Sequence, residues 1–145
     1  MVKIPAATEV KEDALLAALR KACPDCHFSL ETDTSVQAVA NWGKTLLPHL
    51  DDLSQIAGAK ILCVKKDPAA ILKALKRSNA VLVPGLGAVC STKDADDLEA
   101  IATIMRKSAK TALYAATCNA KHLNPVDRRI MRLVYTMKYA KKKAE

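Results

Sequence analysis

The sequence predicts an α/β fold, a mixed sheet with helices packed on it. Three observations lead there. Stretches with helical spacing of apolar residues alternate with short apolar runs of strand type along the whole chain. Their order is strand, helix, helix, strand, helix, strand-turn-strand, long helix, helix. That is not a regular βαβ series, so the sheet is mixed rather than doubly wound and parallel. Half of the 145 residues are hydrophobic and about a quarter are charged, which suits one ordinary domain with its own core and excludes intrinsic disorder.

The elements follow from local chemistry. Residues 12–22 carry Leu15, Leu16 and Leu19 at helical spacing, and Pro24 ends that helix. Residues 26–32 read as a short strand. Residues 35–42 form a helix with Val36, Val39 and Ala40 on one face and Gly43 as its stop. Pro48 opens another helix through Ile56, closed by Gly58. Residues 60–65 are a strand centred on Ile61, Leu62, Cys63 and Val64. Asp67 then caps a helix with Pro68 at its first position, running to about Ser78. Val81, Leu82 and Val83 mark a buried strand. Gly85, Leu86 and Gly87 turn the chain, and Ala88, Val89 and Cys90 begin the next strand. Asp94, Asp96 and Asp97 start a long helix whose positive end they suit. Leu98, Ile101, Met105, Ala109, Ala112 and Leu113 are its buried stripe. Asn124-Pro125 begins the last helix, with Val126, Ile130, Leu133, Val134 and Met137 on its apolar side.

Composition narrows the functional classes. The only aromatic residues are Phe28, Trp42, Tyr114, Tyr135 and Tyr139, too few for a platform that stacks single-stranded nucleic acid. The net charge of +8 is unevenly placed. Residues 1–100 hold 12 Lys and Arg against 13 Asp and Glu, whereas residues 101–145 hold 11 against 2. Such a basic third is either a face for phosphate, nucleic acid or an acidic partner, or a solvated helix face ending in a lysine tail. No apolar run approaches the roughly 18 residues of a membrane span, so no membrane partner is expected. Met1 to Pro5 lack the apolar core of a signal peptide. Five cysteines, an odd number, then read as reduced thiols of a cytoplasmic protein, with Cys63 and Cys90 as small core residues.

Local motifs carry little chemistry. Cys23-Pro24-Asp25-Cys26-His27 matches the haem c attachment pattern, but haem attachment implies export. No second CxxC follows, and the nearest partners for a zinc site are Cys118 and His122. A tight helix-to-strand turn with incidental thiols explains the pattern as well. Pro84-Gly85-Leu86-Gly87 lacks the third glycine of a dinucleotide fingerprint and leads into a strand, so it reads as a bend rather than a phosphate loop. His27, His49 and His122 belong to no HxH or HExxH pattern, and no Gly-x-Ser-x-Gly supports a serine nucleophile.

Three segments together say more. One runs from Thr34 through Val36, Asn41 and Trp42 to Leu46. The second is Leu50-Asp51-Asp52-Leu53-Ser54-Gln55-Ile56-Ala57-Gly58. The third is Val81-Leu82-Val83-Pro84-Gly85-Leu86-Gly87-Ala88-Val89, followed by the helix start at Lys93-Asp94. Their order and spacing resemble the C-terminal part of the class II aldolase/adducin-like family of sugar-phosphate aldolases and epimerases. There, a helix follows an HxHS motif, then comes a DDxxQIxG segment, then a strand ending in NHG. The Pro-Gly-Leu-Gly wording is similar to the aldolase-like domain of fused rhamnulose-phosphate aldolase/dehydrogenase proteins. The resemblance spans residues 32–140. It implies an N-terminally truncated single domain over 1–145, with residues 1–25 a divergent leader and helix and 140–145 a basic tail.

The resemblance also implies where chemistry is lost. Members of the family hold a divalent cation, usually zinc, with three histidines, and it polarises the substrate carbonyl. In this chain the HxH pair falls at Thr32 and Thr34, and the third ligand at Leu86. Hydroxyls are poor zinc ligands and a leucine is none. The family's phosphate loops and acid/base glutamate lie upstream of the matched stretch. The expectation is a metal-free module without cofactor, binding, regulatory or structural, as in the adducin branch. Any remaining pocket lies between Thr32, Asp33, Thr34 and Ser35 on one side and Gly85, Leu86 and Gly87 on the other. A homo-oligomer is expected, with a small sugar-like ligand or a protein as partner. A divergent aldolase or lyase, or a subunit of one, is the second reading. Nucleic-acid binding by the basic third is the last and is not expected.

Overall fold

The computed structural model describes residues 7–144; the leader before Ala7, and Glu145, lie outside the described residues. The elements in chain order are α1 (Ala7–Ala22), β1 (His27–Glu31), α2 (Thr34–Asn41), a π-helical turn (Leu53–Ala57), α3 (Pro68–Ala74), β2 (Ala80–Val83), β3 (Gly87–Thr92), a 3-10 turn (Ala95–Asp97), α4 (Leu98–Cys118) and α5 (Pro125–Ala144). The expected cap at Asp67 is present, and Asp33 caps α2 as well. Asp33 accepts from the Ser35 amide at 3.1 Å and Asp67 from the Ala70 amide at 3.1 Å. The lysine tail is part of α5, which continues to Ala144.

The sheet has strand order β1-β3-β2, with both pairs antiparallel. The one parallel contact lies outside this antiparallel sheet, in the segment expected as a strand over residues 60–65. That segment makes only isolated bridges, Cys63 parallel to Leu82 and Ile61 antiparallel to Leu46. The helix expected from Pro48 is similarly reduced. Only Asp51 and Asp52 precede the π-helical turn, which closes where the Gly58 amide returns to the Leu53 carbonyl at 2.9 Å.

Both faces of the sheet are covered, which explains why β2 and β3 are apolar at nearly every position. Side chains alternate between two cores. Ala80, Leu82, Ala88 and Cys90 pack with Val36, Val39, Leu53, Ile101 and Met105 on the side of α2 and α4. Val81, Val83 and Val89 pack with Leu15, Leu19, Phe28 and Ile71 on the side of α1 and α3. Small residues of α4, Ala102, Ala109 and Ala112, let its backbone sit close to the sheet.

Two expectations are corrected. Cys23 and Cys26 are joined by a disulfide instead of standing as reduced thiols, because the Pro24-Asp25 turn brings their Cα atoms to 5.5 Å. The second correction concerns α5. Val126, Ile130, Leu133, Val134 and Met137, expected on the buried side, face outward and are exposed. The polar side of the helix packs inward instead. Arg128 donates to the Ala59 carbonyl at 3.3 Å, and Arg132 donates to the Gln55 and Ile56 carbonyls at 2.8 and 2.9 Å and to the Asn79 side chain. The end of the π-helical turn leaves carbonyls that need donors, and guanidinium groups supply them where leucines could not.

Thiol chemistry offers a check on the two cores. Burial pushes the Cys90 thiol up to about 12 and raises Cys63, while Cys118 is exposed. The thiolate is the reactive form. At pH 8 an aromatic disulfide reagent is expected to label Cys118 first and Cys90 only on unfolding. Cys90 ionises near 9.0 when unfolded and near 12 when folded, so its neutral form contributes stability that is complete below pH 9 and lost as pH rises towards 12. Against a Cys90→Ala variant, wild type should lose stability more steeply in that window.

Candidate functional site

The two segments singled out by the sequence do meet. β1 ends at Glu31, and Thr32 to Ser35 lead into α2 with Asp33 as the cap. The turn between β2 and β3 folds against this corner. Gly87 lies against the Glu31 carbonyl and the Thr32 Cα. The Gly85 backbone amide donates to the Asn41 side-chain oxygen at 2.8 Å, and the Gln37 side-chain Nε2 donates to the Leu86 carbonyl at 3.5 Å.

The side chains at this corner divide sharply. Thr32 and Thr34 are exposed, while Asp33 and Ser35 are half-buried, the Asp33 carboxylate being used in its cap. Leu86 is 2% exposed and belongs to the core with Leu15, Leu19 and Phe28. Beneath the corner lies an ionic network the sequence did not reveal. Arg106 of α4 pairs with Glu31 and, at 2.8 Å, with Glu99, and it donates to Thr103 at 3.0 Å. Glu31 also accepts from the Asp33 amide at 3.1 Å. The guanidinium holds the exposed Glu99 carboxyl below the usual carboxylate range, and Glu99 and Glu31 in turn raise Arg106.

The architecture matches solved structures of aldolases. An L-fuculose 1-phosphate aldolase superposes with a TM-score of 0.72 at 14% identity, covering 84% of this chain and 62% of that one. The chain has a class II aldolase-like fold. YgbL of Escherichia coli, described as a candidate aldolase/epimerase/decarboxylase, gives 0.67 at 16% identity, covering 83% of this chain and 64% of that one. An L-fuculose 1-phosphate aldolase of Glaciozyma antarctica gives 0.69 at 17% identity, with 83% and 49% covered. This aldolase-like chain therefore spans less than two thirds of the length of these structures. No protein-family model matches the sequence, and no curated protein does.

In this aldolase-like domain the corner's donors do not suit a zinc or manganese ion. Thr32 and Thr34 offer neutral hydroxyls, and Leu86 offers hydrocarbon turned into the core. Among the described residues no three His, Cys, Asp or Glu side chains gather as a metal site. Cys23, Cys26, Cys118 and His122 are thus not brought together as ligands, and the His122 ring lies edge-on to His49 at 6.1 Å.

Cavities of about 520, 400 and 350 Å³ are lined by other residues. The most polar of them opens where α5 crosses the end of β3, with Asn79, Thr92, Lys93, Asp97, Arg132 and Tyr139 in its wall. The Tyr139 hydroxyl donates to Asp97 at 2.8 Å, and burial lowers Arg132. No local pattern of residues marks this cavity, because its wall draws on segments more than 50 residues apart.

Among the described residues no helix is long and apolar enough to cross a membrane.

Proposed function

We propose that this chain is a non-catalytic, metal-free class II aldolase-like module that works by binding, as a homo-oligomer in the cytoplasm. The observation that carries the reading is the donor set at the corner. The positions that the family resemblance assigns to cation ligands hold Thr32, Thr34 and a core-facing Leu86. A Lewis-acid cleavage of a sugar phosphate needs a cation held where the carbonyl oxygen sits, and these three positions offer it no anionic or imidazole ligand, while the nearby Asp33 carboxylate is engaged in capping α2. The exposed hydroxyls of Thr32 and Thr34, with Asp33, Ser35, Gly85, Leu86 and Gly87 as their frame, form the surface for a sugar-like ligand or a protein partner.

The test is elemental analysis of the chain purified at neutral pH, with a cleavage assay on L-fuculose 1-phosphate and added zinc or manganese. Less than a tenth of an equivalent of metal and no aldehyde product are the expected results. One bound equivalent, or cleavage that follows the metal, would overturn the reading in favour of a divergent lyase.

A further inference from the structure

The cavity between α5 and the end of β3 is built like a ligand site. It lies at the Thr92 end of β3, whereas the threonine corner lies at the Gly87 end, so the two surfaces are separate. Its volume of about 400 Å³ suits a small organic molecule. Ile56, Ala100 and Ile101 give it an apolar lining. Tyr135 stacks on Tyr139 with ring centroids 5.7 Å apart, and the Tyr139 hydroxyl lies 2.8 and 2.9 Å from the two Asp97 oxygens.

Charge decides what such a cavity takes. Lys93, Arg132 and Asp97 are all the charged residues of its lining, two cations against one carboxylate. A guanidinium carries five N–H donors. Arg132 Nη1 gives two bonds, to the Gln55 and Ile56 carbonyls, and Nη2 gives one, to the Asn79 side chain. Its Nε–H and second Nη2–H have no acceptor among the described residues. A fork held rigid by three bonds, with two donors left to give, is a receptor for the oxygens of an oxyanion. Lys93 is exposed at the rim and joins no ion pair among the described residues. The neighbouring Asp94 carboxylate is engaged with the Asp96 amide at 3.1 Å. Thr92 accepts from the Asp94 amide at 3.3 Å, which leaves its own hydroxyl proton to give.

We propose that this cavity binds a small organic monocarboxylate. Its carboxylate sits between Arg132 and Lys93, and its apolar or aromatic body lies against Ile56, Ile101 and the tyrosines. One anionic group balances the lining, whereas the nearly double charge of a phosphate monoester would leave excess negative charge beside Asp97. The residues differ from those of the threonine corner, so a chain that held zinc there would still bind the acid, and the two readings fail separately.

Ligand-observed NMR and calorimetric titration of the full chain with phenylacetate and isovalerate test it. At least one is expected to bind with a Kd of about 1 mM or tighter. Phenylacetamide, which keeps the body without the charge, and phenyl phosphate should each bind about tenfold more weakly than phenylacetate or worse. Lys93 and Ala100 are exposed, so their variants should keep the wild-type thermal melt. Lys93→Ala should weaken binding about tenfold, the size of one lost charge contact. Ala100→Phe, which fills the cavity, should abolish binding. Binding of neither acid overturns the proposal, as does binding that Ala100→Phe or Lys93→Ala leaves intact. Phenylacetamide held as tightly as phenylacetate also overturns it, because the charge is then not recognised. Phenyl phosphate held as tightly overturns the choice of a monocarboxylate and makes a phosphate ester the ligand.

Discussion

Gly87→Ala is expected to cost about 3 kcal/mol or more, enough to unfold a domain of ordinary stability. Gly87 has φ of +133°, a region that L side chains rarely adopt, and a Cβ there would stand 2.3 Å from the Glu31 carbonyl oxygen. The obstacle is backbone, not the end of a flexible side chain. Relief would require opening the register that pairs Glu31 with Ala88, the first rung between β1 and β3. Gly85, two residues earlier, is the control. Its φ is +78°, but a Cβ would meet nothing within 4 Å, so Gly85→Ala should cost only about 1 kcal/mol of left-handed strain. Urea unfolding of both variants checks the pair. Equal losses would mean that backbone angle alone, and not the close approach to β1, makes Gly87 necessary.

The second large effect is expected at Arg106. Arg106→Ala should destabilise by about 2–3 kcal/mol, because it leaves the Glu31 carboxylate without its cation. The Glu31 side chain is 11% exposed and that of Arg106 is 32%, so the pair is worth more than a surface bridge and less than a fully dry one. A Glu31→Gln, Arg106→Ala double variant should recover part of the loss, since it removes the stranded charge. Glu99 adds a pH signature. Its lowered carboxyl contributes stability above the ordinary glutamate range that fades as pH falls through the lowered value, and Arg106→Ala should abolish that dependence. A loss below about 1 kcal/mol would reduce the network to a solvated bridge.

Much of this was legible in the sequence for a physical reason. Caps, helix stops and apolar runs are local devices, so Asp67 and Gly58 marked their boundaries and Val81 to Val83 marked a buried strand. The stripe from Leu98 to Leu113 was legible too, because α4 lies directly on the sheet. The meeting of Thr32–Ser35 with Gly85–Gly87 came from the order of three segments, not from any one of them. Residues 60–65 show the limit of such reading. Their apolar centre was plain, but a strand needs a neighbour in register, and only two bridges form.

What the sequence determined by itself is most of the elements, the aldolase-like order in which they come, and the residue types at the positions that the family resemblance assigns to a cation. Those follow from side-chain chemistry and from spacing of a few residues. Only the tertiary structure decided which face of α5 turns inward, that Arg106 lies under Glu31 from 75 residues away, and that Leu86 belongs to the core. An amphipathic pattern states that a helix has two faces, but which one is covered depends on the partner it meets. Here the carbonyls ending the π-helical turn drew the arginines of α5 inward and left its apolar seam to solvent.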